Sequence, residues 1–479
     1  MTADELTQPR RTAQRPGPGS DPLPDEPRSE LGYARRLIHA YGHELRFVPA
    51  WKRWLVWDGT RWAHDTTGQP ARLMKSIALR VTADALAIDT EKERQSAVNL
   101  ARRGESAAGV SGGLTLAGTE QEVVVSPDDL DADPFLLNCA NGTLDLRTGE
   151  LRDHSPADLI TKRAGASYDP AAPGSAFSAF LERVQPQEEM RAYLARLLGH
   201  TLAGTVTTHI LPIFFGEGGN GKGTLIGAVL AALGDYADAA DPDLLTAKTF
   251  DAHPTSVADL YGLRLAVLHE TDAGRRLAEG TVKRLTGGDR LKARRMREDF
   301  WSFDPSHSFV MLTNHKPIVA GTDEGIWRRL KLVPWDFVVP KEERDEELGA
   351  KLAVELDAIL AWLVRGYLDW HAHGLDDPEP VTKATSEYRS ESDAIGRFIR
   401  ERCLTGNKRY HVKSSDLFAA WSKWCDEEGA DPLTQTAFST ELVNRGYDKR
   451  HSNVGKIWDG LALEAEPRQA TGRDQAAIK

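Results

Sequence analysis

Between Ile213 and Thr224 the chain reads Ile-Phe-Phe-Gly-Glu-Gly-Gly-Asn-Gly-Lys-Gly-Thr, and an apolar stretch with Leu225, Ile226, Val229 and Leu230 follows. An apolar strand that runs into a glycine-rich loop and then a helix is the context a phosphate-binding loop needs. Gly216, Gly218, Gly219 and Gly221 let the backbone curl so that successive N–H groups, including those of Asn220, Gly223 and Leu225, point at phosphate oxygens. The helix N-terminus adds partial positive charge, and Lys222 adds a full one. The residue after the lysine is Gly223 where a hydroxyl is usual, and the hydroxyl arrives one place later at Thr224. Thr224 is therefore the candidate magnesium ligand on this loop.

Two further strands end in residues fit for the same chemistry. Arg264-Leu-Ala-Val-Leu268-His269-Glu270 is apolar until its last residues, and Glu270 is the candidate general base and second metal ligand. Asp272 reads as a loop or helix-capping residue. Phe309-Val-Met-Leu-Thr313-Asn314 ends in an amide, so Asn314 can hydrogen-bond a γ-phosphate or an attacking water. Further on, Ile326-Trp-Arg328-Arg329-Leu330 sets two guanidiniums before another strand, where Arg329 can stabilise charge on a phosphoryl group in transfer.

A charge reversal lies between these motifs. Lys283, Arg284, Arg290, Lys292, Arg294, Arg295 and Arg297 stand against one acid, Asp289, in a chain of net charge −11. The Gly287-Gly288-Asp289 break followed by alternating residues predicts a hairpin that presents these cations. Its natural partner is a nucleic-acid backbone. Lys283, Lys292, Arg294, Arg295 and Arg297 are the candidate DNA contacts.

The elements around these motifs form an α/β fold. Helix and strand alternate from Ile210 to Phe337, which implies a parallel sheet with crossover helices. Residues 1–30 and 466–479 are rich in charge and poor in large apolar groups, and are expected to be disordered tails. The four tryptophans at 51, 54, 57 and 62 are read as core residues of a small domain rather than base-stacking platforms. Residues 103–126 read as a loop or linker, and Asn141-Gly142 and Thr148-Gly149 signal tight hairpins. In the carboxy-terminal part, Leu417, Phe418, Trp421, Trp424 and Cys425 share one helical face.

Composition sets outer limits. Hydrophobic residues are 41% and charged residues 27%, as in ordinary water-soluble chains, and no run of 18 apolar residues occurs. A cytoplasmic protein with no membrane partner is expected, in the host cytoplasm if a phage encodes it. Cys139, Cys403 and Cys425 are scattered, lack zinc spacing and are expected to be reduced thiols.

Taken in order, the GxGGNGK loop, the strand ending in Glu270, Lys-Arg-Leu-Thr-Gly-Gly-Asp, Thr-Asn-His-Lys-Pro and Trp-Arg-Arg-Leu resemble the C-terminal helicase of the phage/plasmid primase family, a superfamily 3 helicase of the AAA+ class. Asn-Gly-Thr-Leu-Asp-Leu looks like the accessory block ahead of that motor, and the resemblance covers roughly residues 33–465. It implies a homo-oligomeric ring, six copies, with ATP and Mg2+ held between neighbours. Lys222, Glu270 and Asn314 would serve from one side and Arg329 from the next subunit. Lys292, Arg294 and Arg295 would line a channel that follows one strand of single-stranded or forked DNA, in the 3′-to-5′ direction. The implied organisation is an α+β accessory domain over 31–175, a helical collar over 176–203 and a P-loop ATPase over 204–345. A helical segment over 346–380 and a winged helix over 381–465 complete it. Only about 100 residues precede the accessory block, without the paired aspartates and histidine of a primase, so any primase or replication-initiation partner would be a separate protein. The alternative is a nucleotide-switched DNA-binding initiation or defence ATPase that does not unwind. A small-molecule kinase fits the Gly-Lys-Gly-Thr run but leaves the basic hairpin and Arg329 unexplained.

Overall fold

The computed structural model describes residues 23–247, 254–269, 274–295, 299–321, 323–428, 432–453 and 455–464. Five parallel strands form its central sheet, in the order Leu330–Pro334, Leu211–Phe215, Ser308–Thr313, Leu265–His269 and Ala237–Ala239. Both faces of this sheet are covered, so the strands are almost continuously apolar rather than alternating. Leu211 and Ile213 point into one core with Leu244, Val282, Phe303 and Trp327. Phe214 points into the other, with Leu225, Val229, Leu194 and Leu363. That second core is built by the helices Lys222–Leu233, Ser175–Val184, Glu188–Gly199 and Leu356–His373.

Ahead of the central sheet, the described residues form two small antiparallel sheets and four α-helices. Leu45–Val48, Arg53–Trp57 and Trp62–His64 make the first sheet. Trp62 is fully buried, carries Arg46 over its ring at 4.5 Å and donates its indole N–H to the Pro156 carbonyl at 2.8 Å. Trp51, Trp54 and Trp57 are half-buried against Tyr261, Phe47 and Trp62. The second sheet, Leu136–Cys139, Gly142–Asp145 and Glu150–Arg152, holds the two expected hairpin turns.

One expectation is overturned here. The stretch read as a loop or linker over 103–126 contains the helix Ala107–Ala117, capped by Ser106, whose hydroxyl accepts from the Gly109 N–H at 3.0 Å. Its glycines do not mark a loop. A Cβ at Gly109 would stand 2.3 Å from the Arg103 carbonyl oxygen, and one at Gly113 would stand 2.9 Å from the Met74 methyl. Glycine has low helix propensity, but here its missing side chain lets neighbouring helices pack closely.

The helix Glu379–Ser392 begins at the expected boundary near 380 yet packs back on the unit of the central sheet. Thr385 Oγ1 accepts from the Leu332 N–H at 2.9 Å, and the Tyr388 hydroxyl donates to the Pro317 carbonyl. Only Val381 and Tyr388 of this helix are buried, which is why its sequence reads as a connector. A separate core starts at Ala394–Arg402 and adds the helices Ser414–Glu428 and Gln435–Asn444. Three antiparallel strands close it, with Gly455–Asp459 between His411–Lys413 and Lys449–Ser452. Phe398, Trp421, Trp424, Phe438 and Trp458 are its fully buried anchors, and side chains of this size contribute on the order of 2–3 kcal/mol each on burial. Cys139, Cys403 and Cys425 are all buried and unbridged. No helix among the described residues is long and apolar enough to cross a membrane.

Candidate nucleotide cleft and basic hairpin

The strand Leu211–Phe215 delivers the chain into the glycine loop at the carboxyl end of the sheet. Gly216 and Gly221 adopt φ of +157° and +86°, and both are crowded. A Cβ at Gly216 would lie 2.3 Å from the Trp335 carbonyl oxygen, and one at Gly221 would lie 2.7 Å from a Val184 methyl. No other residue fits either place without moving the loop. Asn220 is buried and donates its amide to the same Trp335 carbonyl at 2.9 Å, which ties the loop to the segment after the edge strand.

Lys222 opens the helix Lys222–Leu233 and is itself buried. Its ammonium donates to the Gly216 carbonyl at 2.5 Å, the Glu217 carbonyl at 3.2 Å and Asn314 Oδ1 at 3.3 Å. Its described partners include no carboxylate, and burial holds its pKa below the ordinary lysine value. A buried cation satisfied only by carbonyl and amide oxygens is poised for an anion. Gly218–Thr224 line a cavity of about 380 Å3 with His269, Thr313 and Asn314 on its far wall. Register explains this: Thr313 pairs with Phe215 and His269 pairs with Leu312, so three strands end side by side. Glu270, the next residue after His269, lies outside the described residues, as does Asp272.

A second cavity of about 430 Å3 shares Gly219, Gly221 and Thr224 with the first. Its walls are Ala176, Phe180, Val184, Val339 and Leu348, with Arg344 at the loop. The cavity under the glycine loop, with Lys222 and Asn314, suits a polyphosphate, and the second, whose apolar wall faces Arg183, Glu343, Arg344, Asp345 and Lys351, has room for a base. Together the donor set fits a nucleoside triphosphate. Thr224 lines both cavities, so its hydroxyl is the one a metal ion there would meet; among the described residues no cluster of three or more metal-ligating groups occurs.

Arg329 is elsewhere. Its backbone carbonyl accepts from the Leu211 N–H at 2.7 Å, at the start of the strand whose end carries the loop. Five residues of strand, roughly 15 Å, separate the two levels. Arg329 Nη1 donates to the Gly325 carbonyl at 2.6 Å, and its Nε is buried without a hydrogen-bond partner among the described residues. Burial first, then the Arg328 charge, lowers its pKa, while Asp323 opposes. The sheet thus keeps Arg329 away from the phosphate loop of its own chain.

The expected hairpin is present as Leu291–Ala293 paired antiparallel with Trp301–Phe303. Leu291, Ala293 and Phe303 are buried and root it in the core of the central sheet, with Tyr261 edge-on to Trp301 at 4.9 Å. Lys292, Arg294 and Arg295 are exposed. Lys292 and Arg294 stand over the Phe300 ring at 4.9 and 4.8 Å, and Phe300 is 50% exposed. Arg297 lies outside the described residues. Lys283 is a correction: it sits on the helix Glu279–Leu285 and pairs with Asp323 at 2.7 Å, the acid that caps the short helix Glu324–Trp327 before Arg329. It braces that turn and is not part of the hairpin.

Three family models match the chain in succession: D5 N terminal like over residues 34–186, a family of unknown function over 214–329, and Poxvirus D5 protein-like over 390–458. Two of the three models are D5 models, at the amino and carboxy ends, so the chain is similar to D5-type primase–helicase proteins. Among relatives of this D5-like chain is the candidate helicase L207/L206 of Acanthamoeba polyphaga mimivirus, 29% identical over 320 residues, covering 62% of this chain and 33% of that protein. The candidate primase C962R of African swine fever virus is 26% identical over 322 residues, covering 62% and 34%. The chain therefore spans about a third of the length of these relatives. The apo C-terminal region of NrS-1 shares the fold, with a TM-score of 0.50 at 12% identity over 92% of this chain and all of that one.

Two residues of the hairpin and the cleft escaped sequence reasoning. Phe300 is one; its only signal is an exposed-type aromatic beside a basic run. Arg344 is the other. A Cβ at Gly219 would stand 2.4 Å from its Nη2, and its Nε donates to the Val339 carbonyl at 3.1 Å. A contact between residues 125 positions apart leaves no local pattern to read.

Proposed function

We propose that this chain is an ATP-driven DNA helicase motor that works as a closed ring of six copies. The observation that carries the reading is the division of one catalytic set between opposite ends of one sheet. Lys222 and Asn314 meet at the carboxyl end, and Arg329 stands at the amino end. One chain alone cannot bring them together, whereas a neighbouring copy packed edge to cleft can.

The residues divide the work as follows. Lys222 exchanges the Gly216 and Glu217 carbonyls for phosphate oxygens. Asn314, released from Lys222, orients the attacking water. Glu270 takes that water's proton, and with Thr224 it would hold the metal ion. Bound magnesium supplies neutralising charge across the terminal phosphates. Arg329 of one copy stabilises charge on the phosphoryl group in its neighbour's cleft. Lys292, Arg294 and Arg295 grip backbone phosphates of single-stranded DNA while Phe300 offers a face to a base. The direction of travel, 3′ to 5′, follows from the superfamily 3 resemblance. We read the Ala394–Leu463 unit as a winged helix, because a helix pair is followed by a strand hairpin.

The test is a forked-substrate unwinding assay with ATP. Strand displacement that Lys222→Ala abolishes is the expected result. ATP hydrolysis stimulated by DNA with no displacement on any fork would instead mark a nucleotide-switched binding protein.

A further inference from the structure

The chain between Asn314 and Arg329 joins the two halves of the divided site, and the helix Glu379–Ser392 lies against both of its ends. Lys316, two residues after Asn314, pairs with Glu391 of that helix at 2.7 Å. Next to it, the Pro317 carbonyl accepts from the Tyr388 hydroxyl. At the other end Trp327 stands two residues before Arg329, and its ring meets the Tyr388 ring edge-on at 5.3 Å. Glu324, on the same short helix as Trp327, pairs with Arg389 at 2.7 Å. Tyr388 thus touches both ends at once, through its hydroxyl and through its ring.

Burial decides which of these contacts holds. Glu391, Arg389 and Glu324 are exposed, so their ion pairs are screened by water and contribute little. Tyr388 is 2% exposed and Trp327 4%, in one core with Ile326 and Leu332. A buried aromatic pair keeps a fixed geometry, and a buried hydroxyl is held by its acceptor. The helix that carries Tyr388 is itself tied on both sides of it. Thr385 Oγ1 accepts from the N–H of Leu332, three residues past Arg329, at 2.9 Å. Asp393, just beyond the helix, accepts from Arg445 at 2.6 and 2.9 Å and from the Gly396 N–H at 2.9 Å. The turn at Asn314 is also compact, since Thr313 Oγ1 accepts from the His315 N–H at 2.9 Å. A displacement at Pro317 is therefore passed to Asn314 rather than absorbed between them.

We propose that Tyr388 is a positioning residue of the shared ATP site. Its hydroxyl sets the turn that carries Asn314 in its own copy's cleft, and its ring sets the turn that presents Arg329 to the neighbour's. A shift of the Asn314 turn on nucleotide binding then reaches Arg329 through one side chain, which links hydrolysis in one cleft to the next. Tyr388 does not line the cavity around Lys222, so it acts through these two residues rather than on the nucleotide. The role rests on Arg329 serving the neighbouring copy.

Steady-state ATP hydrolysis and ATP-analogue affinity of the full chain test it. Tyr388→Leu keeps an apolar side chain and removes both contacts, so kcat should fall about 10^2-fold, the cost of misplacing a group by about 1 Å, with analogue affinity unchanged. Tyr388→Phe keeps the ring against Trp327 and loses only the bond to Pro317, so kcat should fall about tenfold, the worth of one hydrogen bond. Mixed assemblies separate the two halves. Excess Lys222→Ala copies give Tyr388→Leu clefts a sound Arg329, and excess Arg329→Ala copies give a Tyr388→Leu arginine a sound cleft. Each mixture should bring back about tenfold of the hundredfold loss per active cleft. Full recovery in one mixture alone leaves Tyr388 only one half, and no recovery in either marks a defect of the whole fold; both overturn the joint role. An unchanged kcat in Tyr388→Leu, or analogue affinity lost as steeply as kcat, overturns it too. Arg329→Ala in the same assay tells the failures apart: kcat unmoved there sinks the shared site, and a fall there beside an unchanged Tyr388→Leu sinks only the role of Tyr388.

Discussion

The two ends of the central sheet are built on opposite principles. At the carboxyl end the strands stop together, the loop arches over an open cavity, and the Lys222 ammonium donates only to the uncharged oxygens of Gly216, Glu217 and Asn314. The amino end is sealed. Arg264 is buried there, donates to the Leu202 and Leu136 carbonyls and stacks 4.4 Å over Tyr236. His200 and His307 are buried beside the start of Ser308–Thr313, with His200 Nε2 3.3 Å from Ser308 Oγ. The open end has unmet capacity for an anion, and the sealed end anchors the accessory unit. Arg329 is the exception: it lies at the sealed end, keeps a guanidinium nitrogen unsatisfied among the described residues, and forms no ion pair with a carboxylate among them, Asp323 acting on it only at longer range. Two dissimilar ends make sense if each is half of a site.

The sharpest way to break that comparison is to remove the cation at each end in turn. Arg329→Ala should lower the ATPase kcat by about 10^3–10^5, the range of an arginine finger, with little change in nucleotide affinity. Lys222→Ala should lose nucleotide binding and hydrolysis together. Mixed assemblies of the two variants should recover part of the rate, because one intact cleft then faces one intact Arg329. No recovery at any mixing ratio would place both cations in one chain's site and undo the division of the sheet.

Asn314 sharpens the open end. Asn314→Ala removes the amide that now faces Lys222, and kcat should fall about 10^2–10^3-fold, the cost of one lost polar group at developing charge. ATP-analogue affinity should move little. A large loss of affinity with kcat preserved would make Asn314 a binding residue rather than a water-positioning one.

The sealed end should answer to acid. Burial lowers the pKa of both His200 and His307 to about 4, against 6.5 for the free side chain. The folded protein therefore keeps both rings neutral where the unfolded chain protonates them. Stability is complete above about pH 6.5 and falls as pH drops toward 4, by on the order of 3 kcal/mol per ring. Thermal denaturation across that window should show the loss, and His200→Gln should remove about half of it. A melting temperature flat between pH 6.5 and 4.5 would show that the amino end is not closed in the way described.

Much of the open end was legible because each part is local. Glycine spacing, a lysine and a helix in twelve residues specify the loop, and an apolar run ending in Thr313-Asn314 specifies the sensor strand. The hairpin was legible in the same way, from a turn and a charge run. What escaped depends on distant partners or on packing. Lys283 looked like its basic neighbours until Asp323, forty positions on, claimed it. Arg344 meets Gly219 only because the chain returns past the loop after the edge strand. The helix Ala107–Ala117 was hidden by glycines whose role is closeness of packing, not turning. The helix Glu379–Ser392 was hidden by a polar face, since only two of its side chains are buried and both face the motor.

The smallest expected effects concern the hairpin, where charge and stacking can be separated. Phe300 touches Lys292 and Arg294 and is half exposed, so it can contribute a ring face to one base while its neighbours hold phosphates. Stacking does not release counterions, whereas each phosphate contact on a single strand contributes about 0.7 to the salt slope. Phe300→Ala should therefore weaken oligo(dT) binding by about 1–3 kcal/mol with the slope unchanged. Arg294→Ala/Arg295→Ala should lower the slope by about 1.4, for two phosphates. The sealed end should notice neither change, so the acid transition should be the same in both variants. If Phe300→Ala reduces the slope as much as the double arginine variant does, the ring only props the cations and the stacking role is wrong.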